Sequence, residues 1–358
     1  MAGIEVPLEV SLNNETKLVI SGNVCVSRDK LEQIFKILTL SREEGFPRDI
    51  HGRFDQSFVN WNTDIPEVNV FAEAIRNEVL GNRQELSRNG NFKIFFTHDI
   101  DWVTGREVFS YIKSFRNRDS WIPFKDAMNK NVFLDTYRKI CNIEKRYGVK
   151  SWNFMLSGPH KYGRYSSRYD SKSESAMKMI KLILGYGNYI GLHGSYKAFE
   201  DDSYGEEVKR LESVVTKSII AHRNHYLRFH PEKFWNQLEN AGIRYDFSVG
   251  YSTHIGFRNG MASCYYPFNF IQERASNVVE VPLIYMDRLN HLKEQDKIYS
   301  NLIRVVEEIK EYNGCASVLF HPESFAISDN WYVFYERVIR GVVDLGADVS
   351  GNLPFNEL

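Results

Sequence analysis

Two carboxylates and an imidazole close an apolar run in Lys93-Ile94-Phe95-Phe96-Thr97-His98-Asp99-Ile100-Asp101. The apolar part suits a strand buried on both faces, and His-Asp-x-Asp cannot be hidden in one, so the polar group belongs at the strand's mouth. Asp99 and Asp101, two residues apart, project from one face of an extended chain. Carboxylates that close repel unless a metal ion or an arginine lies beside them. Three further apolar runs end in similar groups: Ile190-Gly191-Leu192 leads into His193-Gly194-Ser195-Tyr196-Lys197, Ile219-Ile220-Ala221 into His222-Arg223-Asn224-His225-Tyr226, and Val318-Leu319-Phe320 into His321-Pro322-Glu323. Asp246 follows Tyr245 directly. A single histidine at a strand end is ordinarily a hydrogen-bonded structural residue. Several at successive strand ends converge on one mouth, where barrels and open α/β sheets bind ligands.

The elements that must carry these groups alternate from residue 92 onward. Strands are expected at 93–97, 150–155, 189–193, 219–223, 245–249, 278–283 and 316–320. Helices are expected at 133–147, 174–184, 205–215, 231–241, 296–312 and 331–341, with a last short strand near 348–350. Such alternation implies parallel strands joined by right-handed crossovers, and about seven repeats suit a (β/α) barrel. Residues 1–90 read as a small α+β domain ahead of the main domain, 91–358. It has short strands around the Asn13-Asn14 turn, a Ser-capped helix at 27–38, a polar loop to about Asp64, a helix at 66–80 and a linker from Gly81 to Asn91. Gly185 and Gly187 lack the rest of a dinucleotide fingerprint and read as a turn.

The 358 residues are 43% hydrophobic and 25% charged, with a formal net charge of −1. That is an ordinary globular composition, and the charge balance gives no reason to expect nucleic acid or an anionic membrane as the main partner. Cys25, Cys141, Cys264 and Cys315 form no C-x-x-C pair and are expected as reduced, buried thiols. The N-terminus has no signal-peptide pattern and no stretch reaches the length of a membrane span, so the expected location is cytoplasmic.

Thr97-His98-Asp99-Ile100-Asp101, His193-Gly194-Ser195-Tyr196, Arg223-Asn224-His225-Tyr226, Asp246 and Leu319-Phe320-His321 resemble, in order, the motifs of polysaccharide deacetylases of the NodB-homology group (carbohydrate esterase family 4-like), in a His-Asp-x-Asp variant with an N-terminal extension. The resemblance covers roughly residues 92–355. It implies a distorted (β/α)7 barrel of the polysaccharide deacetylase type, a carbohydrate substrate, and removal of an N- or O-acetyl group with a divalent metal, often zinc. Carried over by resemblance, Asp99 is the general base, Asp101 and His193 are metal ligands, Arg223 holds the base ionised, Asp246 tunes the acid side, and His321 protonates the leaving group. The chemistry is coherent on its own terms: a metal polarises the acyl carbonyl, a carboxylate and an imidazole handle the two protons, and the Tyr226 backbone N–H can meet the oxyanion.

One position departs from the family pattern. Lys197 stands where the second motif has a further histidine, and an ammonium cannot ligate a metal. His225 is the favoured third ligand and His98 the possible additional one; the other outcomes are a weakly held metal or a metal-free site. Tyr196, Tyr226, Phe257 and Arg258 are the candidate substrate contacts, with Gly256 to Gly260 as a contacting loop or plain turns. Lys161, Arg164, Arg168 and Tyr169 read as a solvated loop, Asp287 and Arg288 as a mutual structural pair, and His51, His160 and His291 as surface residues. The leading function is carbohydrate deacetylation. A catalytically inactive binding protein of surface polysaccharide biosynthesis and an amidohydrolase acting on a non-sugar amide are the alternatives.

Overall fold

The structure, a computed structural model, describes residues 8–12, 16–20, 28–80, 91–104, 131–158, 167–287 and 294–354. The Asn13-Asn14 turn, the Ser27 cap, residues 81–90 of the expected linker, Cys25, His160, Lys161, Arg164, Arg288 and His291 lie outside them. Strands β1 (Leu8–Leu12) and β2 (Thr16–Ile20) pair antiparallel, and helices α1 (Arg28–Leu38) and α2 (Glu67–Leu80) follow.

From residue 93 the expected alternation is present. Strands β3 (Lys93–Ile100), β4 (Trp152–Leu156), β5 (Tyr189–Gly194), β6 (Ala221–Asn224) and β7 (Tyr245–Asp246) are parallel neighbours. After the short antiparallel pair β8 (Phe268–Asn269) and β9 (Arg274–Ala275), the chain returns to the sheet as β10 (Val279–Glu280) and β11 (Leu283–Met286), and β12 (Cys315–Leu319) completes it. The order is β10-β7-β6-β5-β4-β3-β12-β11. The run from Val279 to Met286 therefore pairs with β7 at its start and with β12 at its end, closing the parallel sheet into a distorted barrel. Helices α3 (Val132–Arg146), α4 (Glu174–Gly185), α5 (Ala198–Asp201), α6 (Tyr204–Val215), α7 (Pro231–Asn240), α8 (Gln295–Glu311), α9 (Pro322–Ile327) and α10 (Asn330–Asp344) surround it. In place of the last expected strand, Asp348 makes an isolated bridge to Lys93.

Alternation along β3 decides which side chains reach the site. Phe95 points into the barrel, where it packs in a cluster with Phe154, Phe247 and Val281. Ile94, Phe96 and Ile100 belong to the larger cluster beneath the helices. Period two then sends Thr97 and Asp99 inward and His98 outward. The helices supply matching stripes: in α8 the buried positions are Ile298, Leu302, Val305, Val306 and Ile309, a 3.6-residue period.

Residues 41–69 lie on the barrel. Glu43 receives Arg258 Nε and Nη2 at 2.8 and 2.7 Å, Gln56 Oε1 accepts the Ser252 and Thr253 N–H groups at 2.9 Å each, and Val68 N donates to Gly260 O at 2.9 Å. Gly256 (φ +117°) allows the closest approach, since a Cβ there would collide with the Thr63 carbonyl. The thiols differ from expectation for one pair: Cys264 and Cys315 form a disulfide with Cα atoms 5.6 Å apart, while Cys141 is free and buried. Neighbouring segments bring together residues that sequence spacing kept apart. Among the described residues no helix is long and apolar enough to cross a membrane.

Candidate active site at the barrel mouth

A cavity of about 270 Å³ opens at the C-terminal ends of the strands, and Asp99, Asp101, His193, His225, Tyr226 and His321 all line it. Arg223, wholly buried at the end of β6, donates from Nη1 to Asp99 Oδ1 at 3.0 Å and to Thr97 Oγ1 at 2.8 Å, and from Nε to Phe247 O at 2.9 Å. Its guanidinium stacks 4.6 Å from the Phe154 ring. Burial alone would push the Asp99 carboxyl up, but His193, Arg223 and His321 outweigh it and hold Asp99 below the ordinary 3.8. Asp99 is thus ionised at neutral pH.

Asp101, His193 and His225 form a buried group whose ligand atoms lie within 4.8 Å of one another. Asp101 Oδ1 is 3.4 Å from His193 Nε2 and 3.6 Å from His225 Nε2. A tetrahedral ion with bonds of ~2.0–2.1 Å holds its ligand atoms ~3.3–3.5 Å apart, so this spacing fits one cation. The orientation fits as well: His193 Nδ1 donates to Arg223 O at 2.9 Å, which turns Nε2 toward the carboxylates. Burial lowers this imidazole, but Asp99 and Asp101 outweigh it and hold it above the ordinary 6.5, so a bound cation would displace a proton from Nε2. Burial lowers the His225 imidazole to about 4 despite the neighbouring Asp101, so it is neutral and able to ligate at pH 7. Arg168 Nη1 lies 3.3 Å from Asp101 Oδ2; with His225 it outweighs burial and keeps Asp101 well below the ordinary carboxylate range. Lys197 is exposed, so its ammonium is not among these groups.

His321 Nε2 stands 3.9 Å from Asp99 Oδ2. Its Nδ1 donates to Asp287 Oδ1 at 2.6 Å, its backbone N–H donates to Asp287 Oδ2 at 2.9 Å, and Ser324 Oγ donates to the same carboxylate. The acid beside His321 is therefore Asp287, where Asp246 was expected. Asp246 is buried on β7 and pairs with His222 Nδ1 at 2.6 Å and with the Ser248 N–H and hydroxyl at 3.0 and 2.8 Å.

Four other expectations move. His98 faces away from the cavity, donating from Nδ1 to Phe320 O at 2.8 Å with Glu144 Oε1 2.9 Å from Nε2, as the alternation of β3 requires. Phe257 is buried behind the mouth, and Arg258 is engaged with Glu43, so neither lines the cavity. Tyr196 does not line it either; its hydroxyl meets His51 Nδ1 at 3.2 Å and its ring carries the Arg228 guanidinium at 3.6 Å. Tyr226 lines the cavity wall, with its ring 4.5 Å from His51. Conversely His51, read as a surface residue, and Arg168, read as part of a solvated loop, line the cavity, as does Arg53 from the polar loop ahead of Asp64. The polar, turn-rich stretch around Asp49 was a visible loop signal, but nothing local marks where such a loop docks.

No family model matches the sequence, and no curated protein matches it. Among solved structures the chain is similar to a Mycobacterium smegmatis protein assigned as a polysaccharide deacetylase, with a TM-score of 0.50 and 13% identity over 74% of this chain and 88% of the other. It is also similar to the chitin deacetylase of the fungal pathogen Colletotrichum lindemuthianum (TM-score 0.38, 10% identity, 75% and 91% covered). A third is a CE4 family pseudoenzyme from Bacillus anthracis (TM-score 0.38, 10% identity, 73% and 63% covered). At these identities the likeness concerns the fold.

Proposed function

The chain has the polysaccharide-deacetylase fold, and we propose that it is a metal-dependent hydrolase that removes an acetyl group from an acetylated sugar or polysaccharide precursor. The observation that carries this reading is the juxtaposition of three ligand-capable atoms, Asp101 Oδ1, His193 Nε2 and His225 Nε2, with Asp99 beside them and His321 Nε2 3.9 Å from Asp99.

Asp101, His193 and His225 hold a divalent cation, with zinc the first candidate for two imidazoles and a carboxylate. When bound, the cation polarises the acetyl carbonyl and eases ionisation of water. Asp99, kept ionised by Arg223, accepts a proton from the attacking water. The Tyr226 backbone N–H meets the negative charge that develops on the acetyl oxygen. His321 gives the proton on Nε2 to the departing amine or alcohol as the bond from the acetyl carbon to nitrogen or oxygen breaks, and acetate remains. Asp287 fixes the His321 tautomer and stabilises its charged form.

The test is acetate release from N- and O-acetylated sugars by zinc-loaded protein. Wild type releases acetate and Asp99→Asn loses about 10²–10⁴-fold of the rate. Absence of acetate from any acetylated sugar, with zinc bound, contradicts the reading.

A further inference from the structure

Tyr226 and Leu227 sit at φ +62° and +53°, two successive non-glycine residues in the left-handed region immediately after His225. Such residues persist only where the surroundings over-determine them, and they cluster at functional sites. Here the determining contact comes from far away in sequence. Arg53 Nη1 donates to Tyr226 O at 2.7 Å, while its Nε and Nη2 grip Asp49 Oδ2 at 2.8 and 2.6 Å. Asp49 also organises its own turn, since Oδ1 accepts the His51 and Arg53 N–H groups at 2.8 and 3.0 Å. The opposite segment returns the contact: Arg228 Nε donates to His51 O at 2.7 Å. The 49–53 turn and the 224–228 turn therefore exchange an arginine-to-carbonyl bond in each direction. One of those bonds ends on the carbonyl of Tyr226, the residue that follows the candidate ligand, and so holds the peptide between the two left-handed residues.

We propose that Arg53 is a positioning residue for the cation site. By holding the Tyr226 carbonyl, it fixes the left-handed turn that presents His225 Nε2 3.6 Å from Asp101 Oδ1. The inference rests on the reading of Asp101, His193 and His225 as cation ligands and adds to it that residues ahead of the barrel complete the site. Without Arg53, Tyr226 relaxes toward negative φ. The peptide rotates, and His225 is drawn out of register with the other two ligands.

Zinc affinity, measured by competition with a chromophoric chelator on the full chain, tests this without reference to activity. Arg53→Gln is expected to bind zinc about 10–100-fold more weakly than wild type, the size of effect seen when a ligand's supporting contact is lost. Adding Tyr226→Gly to Arg53→Gln is expected to restore most of the affinity, because glycine adopts positive φ without steric cost. Glu43→Gln breaks a different contact between the same segment and the barrel; it is expected to lower Tm and leave zinc affinity unchanged. Wild-type affinity in Arg53→Gln, or failure of Tyr226→Gly to recover it, overturns the proposal. Should Arg53→Gln not fold, Arg53→Lys takes its place, and unchanged affinity there overturns it equally. A wild-type protein that binds no zinc instead removes the ligand reading on which the inference stands.

Discussion

His321 and Asp287 are joined twice: His321 Nδ1 donates to Asp287 Oδ1 at 2.6 Å, and the His321 backbone N–H donates to Asp287 Oδ2 at 2.9 Å. The pair fixes which imidazole nitrogen faces Asp99. Replacing the carboxylate by an amide keeps the shape but offers an N–H where an acceptor is needed, which favours the wrong tautomer. Asp287→Asn is therefore expected to lower kcat about 10²–10⁴-fold while leaving zinc content unchanged. Steady-state acetate release alongside metal analysis checks both halves.

The two remaining ligand candidates separate cleanly. His225 belongs to the buried group with Asp101 and His193 that could hold a metal ion, and His98 is held behind β3 by Phe320 O and Glu144. His225→Ala is expected to abolish tight zinc binding with little loss of stability. His98→Ala removes a buried imidazole from the Glu144 network, which keeps its bonds from Tyr335, Ser151 and Asn188, and is expected to cost about 1–3 kcal/mol, with zinc stoichiometry preserved. Chelator competition and urea unfolding on both variants distinguish the roles.

Arg223 and Asp99 form a buried ion pair beside the cavity. Arg223→Met strands the carboxylate and is expected to destabilise the protein by about 3–5 kcal/mol at pH 7. The double variant Arg223→Met, Asp99→Asn is expected to lose less than the sum of the single changes, since no unpaired charge remains. Additive losses in denaturant unfolding would show that the pair is not energetically coupled.

Glu207 gives a pH dependence independent of the cation site. Burial raises its carboxyl above the ordinary 4.5 against the pull of the Ser195 hydrogen bonds. The folded chain then binds this proton more tightly than the unfolded chain. The associated stability is complete below about 4.5 and is lost as pH rises through the folded value. Glu207→Gln lacks the titration, so its Tm relative to wild type is expected to climb between pH 4.5 and 8. A constant difference across that range refutes the assignment.

The barrel and the inward face of β3 were legible in sequence because their signals are local. Apolar runs ending in Asp99, His193, Arg223 and His321 marked both the strands and the mouth. Period-two alternation, applied strictly, also places His98 and Asp99 on opposite faces of their strand. The partner of His321 was not legible, since Asp246 ends one strand and Asp287 follows another, and only the barrel's closure decides which meets β12. Phe257 and Arg258 looked available because the residues covering them, Glu43 and Thr63, are roughly 200 positions away. His51 and Arg53 were hidden for the same reason: a turn sequence predicts its own conformation, not its docking site.

Anomalous diffraction at the zinc edge, from crystals grown with one equivalent of zinc, tests the central claim most directly. The account predicts a single peak about 2.0–2.2 Å from the Asp101 carboxylate and from one ring nitrogen each of His193 and His225, with Asp99 alongside. A peak elsewhere, or density at the mouth that leaves His225 unligated, contradicts it.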